Sequence, residues 1–397
     1  MAIDHHWLLP DGVDELAPPQ AAELEYLRRT LLDLYSGWGY ELILPPMLEY
    51  AHSLLVKGCD ELDLRTFKVT DQQSGRTLGI RADITPQAAR IDAHKLNRES
   101  PTRLCYCGTV LHTRADNPSA SRAPLQLGAE LYGHDGIESD LEILCLMVRT
   151  LKVCGIPEFY LDIGHVGIFR SLAQQAGLDE CVEYALFEAL QRKAVPEINA
   201  ILGELDLSKQ NATMFAALAE LSGDDAIERA EKIFASAGDE VLSALQELKQ
   251  VALMLKQRVP DLSPHFDLAE LRGYHYHTGI VFAGFVPEIG QEVVRGGRYN
   301  EFGKAFGRAR PAVGFSGDLR TLFRIGEAGR SKCAEKPAIF SPWPTERELG
   351  EVIEELRRQG RRVIHALPGQ SGDAKVMGCD EELIKIAGSW TVRQCSD

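Results

Sequence analysis

The sequence predicts an α+β fold, in which a mostly antiparallel sheet carries flanking helices and a helical insertion. Three observations favour this class. Short β-like runs cluster at 64–114 and return at 265–300, and a long segment with helical periodicity, about 168–260, separates them. Strands do not alternate regularly with helices, as they would in a doubly wound parallel sheet. A separate strand–helix–strand stretch closes the chain after residue 337.

Composition and charge are those of a globular protein with two or three domains. The chain has 397 residues, of which 45% are hydrophobic and 25% charged. Its 43 Lys+Arg and 58 Asp+Glu give a formal net charge of −15, which argues against a general polyanion-binding surface. No apolar run of about 18 residues predicts a membrane span, and MAIDHHWLLPDG lacks the pattern of a secretory signal. We therefore expect a cytoplasmic protein.

The cysteines and histidines do not predict a metal site. The nine cysteines are an odd number without a CxxC pair, which fits a reducing compartment. Cys105 and Cys107 share a face of a predicted strand; a metal pair is the alternative, and two small buried side chains are the preferred interpretation. His275 and His277 also alternate, but no third ligand is identifiable. No phosphate-binding glycine loop occurs, so we predict neither a metal nor a cofactor.

The N-terminal elements are predicted as one helix followed by short strands. Leucines and aromatic residues recur at helical spacing over 20–38. YELILPPMLEY (40–50) predicts a strand that two adjacent prolines confine to a sheet edge or an interface. The runs at 64–70 and 76–82 predict a hairpin through DQQSG, and RLCYCGTVLHT (103–113) predicts the next strand.

The stretch PLQLGAELYG (124–133) predicts a strand with two different faces, because its residues alternate between apolar and polar. The apolar face holds Leu125, Leu127, Ala129 and Leu131, and the other face holds Gln126, Gly128, Glu130 and Tyr132. A helix is predicted next, at about 138–153, and FYLDIG (159–164) predicts a short strand.

We expect two domains joined by a linker. A core of residues 1–330 would contain the sheet, the helical insertion at about 168–260 and a helix opened by GFSGDLRTLFRI (314–325). SKCAEK (331–336) has the composition of a linker. Residues 337–397 predict a small α/β module with the order strand, helix, strand and hairpin, which is short for an independent domain.

Polar residues on the predicted strand faces are the candidates for a binding site. In IRADITP, Arg81, Asp83 and Thr85 would share one face of a strand. Gln126 and Glu130 would lie about 13 Å apart along an extended strand. A small ligand could lie between them, over the bare backbone of the intervening glycine.

The charges of these candidates suggest what the ligand would be. Asp83 and Glu130 would hold an ammonium group, and Arg272, in LRGYHYHTGIVF, would hold a carboxylate. Tyr276 and His277, at the start of a predicted strand, would pack on or hydrogen-bond a ring. The adjacent glycines of RGGRY allow close backbone approach. The pattern predicts a pocket for an amino acid with an aromatic or imidazole side chain; the alternative is ordinary solvated sheet faces.

Together these stretches resemble the catalytic core of class II aminoacyl-tRNA synthetases, and specifically the histidyl-tRNA synthetase family. Five motifs occur in order between about residues 8 and 325. WGYELILPPMLEY resembles motif 1, RLCYCGTVLHTRADNPSASRAPLQLGAELYG resembles motif 2 and its following strand, LRGYHYHTGIVF and RGGRYNEF resemble the two histidine signatures, and AVGFSGDLRTL resembles motif 3. The resemblance implies a class II synthetase-like antiparallel sheet of six or more strands and a homodimer formed through motif 1.

The resemblance also implies which residues contact histidine. The matching positions are Asp83, Thr85, Gln126, Glu130, Arg272, Tyr276 and His277. Asp83 stands where the family has glutamate, and His277 stands where it has a second tyrosine. The contact with the imidazole is therefore expected to be altered but not lost.

The ATP-binding positions depart from the synthetase pattern. In motif 2 the family has an arginine that grips the α-phosphate and a glutamate at the adenine end, whereas this chain has His112 and Arg114. In motif 3 an ungapped alignment places Thr321 at a second ATP-binding arginine. A one-residue gap would place Arg320 there instead; we prefer the ungapped alignment because it keeps the apolar residues of the predicted helix on one stripe.

These replacements predict that adenylation is lost. Forming an acyl-adenylate builds negative charge on phosphorus, which fixed cations stabilise. Losing one such contact typically costs on the order of 3 kcal/mol, or about a hundredfold in rate. Two losses and a reversed charge would silence the reaction.

A histidine pocket without adenylation chemistry resembles the regulatory subunits of ATP phosphoribosyltransferase, a family of histidyl-tRNA synthetase-like paralogues. This resemblance implies a non-catalytic subunit that activates the short-form catalytic subunit within a hetero-octamer, in the first step of histidine biosynthesis, with histidine as the feedback effector. Binding of tRNA is not expected, because the C-terminal module is short and not notably basic. The alternatives are a working histidyl-tRNA synthetase and a free-standing histidine-binding or RNA-binding relative.

Overall fold

The computed structural model describes residues 8–55, 60–115, 120–274, 276–287, 289–326, 337–370 and 372–395. The chain divides into two compact units, Met1–Gly329 and Arg330–Asp397. The predicted linker at 331–336 lies outside the described residues, as does His275. Within the described part of the chain, no helix is both long and apolar enough to cross a bilayer.

The first unit is built on a large, mostly antiparallel sheet, which confirms the predicted fold class. Its described strands are β1 (Glu41–Leu42), β2 (Leu48–Tyr50), β3 (Phe67–Thr70), β4 (Thr77–Ile80), β5 (Thr102–Thr109), β6 (Leu125–Tyr132), β7 (Tyr160–His165), β8 (Ser222–Gly223), β9 (His265–Asp267), β10 (Ile280–Phe285), β11 (Glu292–Arg298) and β12 (Ala312–Asp318). The nine-stranded sheet has the order β1-β5-β6-β12-β11-β10-β7-β9-β8, and its neighbours are antiparallel except β1–β5 and β7–β9. A separate antiparallel sheet has the order β2-β4-β3 and contains the predicted hairpin.

Helices cover one face of the large sheet and fill the segment between β7 and β9. The described helices of the first unit are α1 (Gln20–Gly37), α2 (Ala51–Leu54), α3 (Asp60–Arg65), α4 (Thr85–Arg90), α5 (Ile137–Val153), α6 (Val166–Ala176), α7 (Glu180–Gln191), α8 (Val195–Glu204), α9 (Lys209–Leu218), α10 (Ala226–Ile233), α11 (Asp239–Arg258) and α12 (Leu319–Ile325). A π-helical turn follows α4 at Ile91–Leu96, and a 3₁₀ helix spans Phe302–Phe306. Helices α6–α11 form the helical insertion.

The alternation of β6 places its two sets of side chains on opposite faces, as predicted. Leu127, Ala129 and Leu131 enter the main core between the sheet and the helices. Gln126 and Glu130 therefore lie on the other face of the sheet. This face carries the candidate site.

The interpretation of Cys105 and Cys107 as buried side chains is confirmed. Both lie in the main core on β5, and burial raises the pKa of each thiol to about 12. Each is therefore a protonated, weakly polar group at neutral pH and packs like a small apolar residue.

The proline-containing segment forms two short strands, one on each side of the prolines, as expected for a segment at a sheet edge. β1 is only two residues long and lies at one end of the large sheet. β2 belongs to the smaller sheet. Pro45 and Pro46 fall between them, where neither proline interrupts a ladder.

The prediction that IRADITP forms a strand face is wrong. β4 ends at Ile80, Asp83 lies in a turn, and Thr85 is the first residue of α4. The Asp83 carboxylate accepts a hydrogen bond from the backbone N–H of Thr85 (2.9 Å), and Pro86 occupies the first helical turn, where its missing N–H is not needed. The polar residues meet through this turn and not through strand alternation.

The prediction that Tyr276 and His277 begin a strand is also wrong. Residues 272–274 and 276 form turns, and β10 begins only at Ile280. Gly273 has a φ of +67°, and its carbonyl accepts from the N–H groups of both Tyr276 and His277 (2.7 Å each). A left-handed glycine followed by such hydrogen bonds reverses the chain, which the aromatic content of the segment does not reveal.

The second unit is a small α/β module with the predicted order of elements. Its described elements are β13 (Ala338–Ser341), α13 (Arg347–Arg358), β14 (Arg362–His365), β15 (Glu381–Ile386) and β16 (Ser389–Gln394). The strand order is β14-β13-β15-β16, in which β13 is parallel to both of its neighbours and β15–β16 is the predicted hairpin. Its core contains Ile339, Leu349, Ile353, Val363 and Leu383.

Candidate functional site

The candidate site lies on the face of the large sheet opposite the main core, around Glu130 of β6. The Glu130 side chain is only 1% exposed. Its carboxyl group accepts hydrogen bonds from the hydroxyl groups of Tyr106 on β5 (2.9 Å) and Tyr299, which follows β11. Burial raises the pKa of Glu130 to about 8, although both hydroxyl groups favour the charged form. At neutral pH the group is therefore largely protonated.

Bare backbone on the neighbouring strand makes room for the Glu130 carboxyl group. Gly314 of β12 is the residue paired with Glu130. A Cβ atom at this position would overlap with the Glu130 carboxyl oxygens. Gly128 is similar, since a Cβ atom there would overlap with the Tyr106 hydroxyl group. The two glycines let polar groups lie flat over the sheet.

A second set of hydrogen bonds joins the start of α4 to this group. Gln126 donates from Nε2 to Asp83 Oδ1 (2.8 Å) and accepts at Oε1 from the Ile84 N–H (2.9 Å). The Thr85 hydroxyl group lies 3.1 Å from that of Tyr106. The structure therefore brings Asp83, Thr85, Gln126 and Glu130 into one connected network with Tyr106 and Tyr299. We call these six residues the Glu130 cluster.

Tyr276 packs against the Glu130 cluster. Its ring centroid is 5.0 Å from that of Tyr299 and 4.7 Å from that of Phe302, and the ring of His277 meets it edge-on at 5.0 Å. The Tyr276 hydroxyl group is buried and has no hydrogen-bond partner among the described residues. A buried hydroxyl group without a partner is unfavourable, so this atom is a candidate to bind a ligand.

His277 is held as a neutral ring. Its Nδ1 lies 3.3 Å from the carbonyl oxygen of Arg298, which can only accept, so Nδ1 carries a proton. Burial lowers the pKa of His277 to about 4. The ring fits closely between backbones, because a Cβ atom at Gly273 or Gly297 would contact it.

Arg272 is not brought to the Glu130 cluster. Its guanidinium group lies 3.2 Å from the Glu292 carboxylate and 3.8 Å from that of Glu270, over the ring of Phe285 (5.2 Å to the centroid). The side chain is 42% exposed. The predicted contact with a ligand carboxylate stays a prediction and requires the pair with Glu292 to open.

None of the three positions predicted to match the ATP-binding residues of the synthetases holds a buried cation. Both ring nitrogens of buried His112 are engaged: Arg65 donates to Nδ1 (3.1 Å), and Nε2 lies 3.0 Å from the Ala82 carbonyl oxygen. Because a guanidinium group can only donate and a carbonyl oxygen only accept, this arrangement requires a neutral ring with its proton on Nε2. Arg114 is exposed.

Both candidate residues for the motif 3 position, Thr321 and Arg320, also form local contacts. Thr321 donates to the Asp318 carboxylate (2.7 Å), which caps α12. Arg320 pairs with Asp14 (2.8 Å). Leu319, Leu322 and Phe323 form the buried stripe of α12. We call His112, Arg114 and Thr321 the His112 region.

Sequence reasoning missed Tyr106 and Tyr299 as members of the site. A signal existed for both. Tyr106 alternates with Cys105 and Cys107 along β5, so it faces the same side as Gly128, with which it pairs. Tyr299 directly follows the glycine pair of RGGRY, and Gly296 and Gly297 allow the close backbone approach predicted for them. Among the described residues, no group of three His, Cys, Asp or Glu is placed to hold a metal ion.

The sheet order, the helical insertion and the polar floor over β6 and β12 define a protein of the class II aminoacyl-tRNA synthetase fold. The histidyl-tRNA synthetase family model matches residues 12–322. The solved structure of histidyl-tRNA synthetase from Nostoc sp. PCC 7120 superposes with a TM-score of 0.77 at 19% identity, covering 98% of this chain and 97% of that one. At that identity the likeness concerns the fold alone.

Within this class, the chain belongs to the family of ATP phosphoribosyltransferase regulatory subunits. It is 53% identical to the ATP phosphoribosyltransferase regulatory subunit of Thioalkalivibrio sulfidiphilus over 99% of both chains, and 50% identical to that of Pseudomonas syringae pv. syringae, also over 99% of both. Residues 336–393 match the model of the ATP phosphoribosyltransferase subunit HisZ C-terminal domain. A structure from Bacillus halodurans, described as an ATP phosphoribosyltransferase regulatory subunit/histidyl-tRNA synthetase, has a TM-score of 0.82 at 28% identity, covering 95% of this chain and 97% of that one.

Proposed function

We propose that this chain is the non-catalytic regulatory subunit that binds and activates the short-form ATP phosphoribosyltransferase catalytic subunit, in the first step of histidine biosynthesis. We propose further that free histidine is its effector and binds at the Glu130 cluster. The observation that carries the proposal is the contrast between two neighbouring groups of residues. The Glu130 cluster is a connected polar network, whereas His112, which bonds the Ala82 carbonyl oxygen beside Asp83, is a buried neutral ring.

The chemistry of the Glu130 cluster fits an imidazole-bearing amino acid. Glu130 is a protonatable carboxyl group in a nearly water-free environment, and Tyr276 offers an aromatic face and a buried hydroxyl group without a described partner. An imidazole can both donate and accept, so it can satisfy such groups together. The sequence predicts that Asp83 and Glu130 hold the ammonium group, but Glu130 is largely protonated, so we propose Asp83 and Gln126 for this role. Arg272 would reach the carboxylate after leaving Glu292.

We propose that two copies pair through the proline-containing segment and that the dimers join catalytic subunits in a hetero-octamer in the cytoplasm. The segment supports a self-contact because it exposes large apolar side chains: Leu44 is 79% exposed, Leu48 47% and Met47 44%. Several such residues adjacent in sequence are typical of an interaction surface. Neither tRNA nor a membrane is an expected partner.

The decisive experiment reconstitutes the enzyme. Short-form catalytic subunit alone, this protein alone and the mixture would be assayed for phosphoribosyl-ATP formation. The expected result is activity in the mixture only, and inhibition of that activity by histidine. No change on mixing would contradict the proposal, and activation without histidine inhibition would remove the effector role alone.

A second assay tests the alternative that this chain is a working histidyl-tRNA synthetase. Histidine-dependent exchange between ATP and pyrophosphate should be absent for the purified chain, because the His112 region lacks a cation aimed at phosphate. Exchange at a rate typical of a synthetase would overturn the non-catalytic part of the proposal.

A further inference from the structure

The loop that carries Tyr276 has two sides, and the second side contacts the helical insertion. We call residues 271–279 the ligand loop. Tyr276 points to the Glu130 cluster, while Tyr274, two residues earlier, packs between Phe169 of α6 (5.3 Å between ring centroids) and Phe187 of α7 (5.4 Å). The Tyr274 side chain is buried. The same loop therefore belongs to two packed regions at once.

Hydrogen bonds fix this second side. The Tyr274 hydroxyl group donates to Glu183 of α7 (2.6 Å). Arg170 of α6 donates through Nη2 to the backbone carbonyls of both Tyr274 (2.6 Å) and His277 (2.9 Å), with its guanidinium group 4.8 Å from the Tyr274 ring centroid. One arginine thus holds the loop at two points, and charge-assisted bonds of this kind are stronger than neutral ones.

The segment before the ligand loop is tied to the insertion as well. Lys193, which follows α7, pairs with Asp267 of β9 (2.7 Å). β8, within the insertion, pairs with β9, and the Leu268 N–H donates to the Leu221 carbonyl oxygen (3.0 Å). The loop is therefore anchored to the insertion at its entry and along its length.

We expect binding at the Glu130 cluster to act on these anchors. Glu130 is 1% exposed and the half-buried ring of Tyr276 packs against Tyr299, so a ligand reaches the carboxyl group only if a covering group moves. The ligand loop is one of the irregular segments that meet there, and it turns at Gly273. Arg170 bonds the backbone carbonyls of Tyr274 and His277, which lie on either side of Tyr276, so a displacement of Tyr276 would act on Arg170.

We infer that Arg170 and Glu183 are positioning residues for the ligand loop, and that through them helices α6 and α7 sense whether the Glu130 cluster is occupied. This inference rests on the proposed function in so far as histidine is the ligand. If a second molecule binds α7 and shifts it, that molecule changes the affinity for histidine by some factor. By linkage, histidine then changes the affinity for the second molecule by the same factor.

The test uses variants of the full chain that alter the same hydrogen bond from either side. Tyr274→Phe removes the donor, Glu183→Gln replaces the charged acceptor with a neutral one of the same shape, and Arg170→Lys replaces the two-point contact with a single cation. We expect each single variant to bind histidine about tenfold more weakly by calorimetry. Glu183→Gln combined with Tyr274→Phe should bind no more weakly than Tyr274→Phe alone, because the charge of Glu183 cannot strengthen a bond whose donor is already gone.

The matched control is Glu180→Gln, which makes the same charge change on the same helix at an exposed position. It should leave histidine affinity unchanged.

The second readout is hydrogen exchange of the ligand loop, measured without histidine. The exchange should accelerate in Glu183→Gln and Arg170→Lys but not in the control. Thermal midpoints within about 2 °C of the wild type would exclude general destabilisation.

The outcomes separate this inference from the proposed function. If the wild type binds no histidine, the effector role fails, and the exchange of the ligand loop still decides whether Arg170 and Glu183 position it. Unchanged affinity together with unchanged exchange would overturn the inference. Effects of the two single variants that multiply in the double variant would overturn it as well.

Discussion

The Glu130 cluster and the His112 region meet where His112 contacts Ala82, beside Asp83, and they differ in how their polar groups are used. In the Glu130 cluster, hydrogen bonds join six side chains from β5, β6, the start of α4 and the end of β11, and Tyr276 adds a buried hydroxyl group without a described partner. In the His112 region, each group is engaged locally or faces solvent: His112 bonds Ala82 and Arg65, and Thr321 bonds the helix cap Asp318.

The difference favours our proposal that a histidine site can persist in a synthetase-like fold without an ATP site. A network that also joins strands and helix starts contributes to the fold, so its residues have a structural role besides ligand binding. A cation that serves only a phosphate group contributes nothing to the empty protein and can be replaced by a neutral residue. Four experiments test this separation.

The largest expected effect is that of Glu130→Gln on histidine binding. The amide keeps the shape of the carboxyl group but cannot exchange a proton with an imidazole or accept from both tyrosine hydroxyl groups in the same way. We expect about a hundredfold weaker binding by calorimetry, which corresponds to about 2.7 kcal/mol. The control Glu158→Gln, at an exposed position, should bind normally. Equal affinity of Glu130→Gln and the wild type would place the ligand elsewhere.

The second experiment reintroduces the cation of the synthetase pattern. His112→Arg would bury a second guanidinium group beside Arg65 and remove the bond to the Ala82 carbonyl oxygen as it now stands. We expect a loss of about 2–4 kcal/mol in the free energy of unfolding, measured by urea denaturation. Arg114→Glu, at an exposed position, should change it by less than about 0.5 kcal/mol. A stable His112→Arg chain would mean that the region still has room for a phosphate-binding cation.

The third experiment uses the opposite pKa shifts of Glu130 and His277. The pKa of Glu130 is raised from 4.5 to about 8, so the folded state keeps a proton that the unfolded state releases, and stability falls as the pH rises through this window. The pKa of His277 is lowered from 6.5 to about 4, so the unfolded state takes up a proton that the folded state refuses, and stability falls as the pH drops from 6.5 to 4.

The two variants should therefore change the pH profile in opposite directions. Relative to the wild type, Glu130→Gln should lose stability as the pH falls from about 8 to 5, and His277→Gln should gain it below about pH 6.5, each by on the order of 1 kcal/mol per pH unit. Urea midpoints at several pH values measure both. Subtracting the wild-type stability at each pH removes the contributions of other groups. If the stability of each variant changed with pH in parallel with the wild type, the shifted pKa values of Glu130 and His277 would be contradicted.

The smallest expected effect is that of Tyr276→Phe on the empty protein. Because the Tyr276 hydroxyl group is buried and has no described partner, removing it should change the free energy of unfolding by less than about 0.5 kcal/mol or raise it slightly. Thermal denaturation without ligand is the measurement. A clear loss of stability would reveal a partner for this hydroxyl group and make it part of the empty network.

Much of the fold and part of the site could be predicted from local sequence patterns. The strict alternation along β6 identified Gln126 and Glu130 and their common face, and the helical spacing of the leucines identified α1 with Leu24, Leu27 and Leu31 buried. Such periodicities report directly which side of an element faces the core.

The predictions that failed concern features that depend on turns and on contacts between residues distant in the sequence. IRADITP alternates like a strand, but Pro86 and the Asp83 turn start a helix there. The direction of Arg272 depends on Glu292, twenty residues later, which no local pattern encodes. Tyr106 and Tyr299 both reach Glu130 because β5, β6, β12 and β11 are consecutive in the sheet, an order that local patterns do not encode.

The bare backbones of Gly128 and Gly314 limit how the proposed histidine site could be redesigned. Any side chain added at these two positions would overlap with Tyr106 or Glu130, so the sheet side of the site cannot be filled without dismantling the network. Engineering toward a smaller or larger amino acid would therefore begin on the opposite side, with substitutions at Tyr276 and at Phe302, whose ring packs against it.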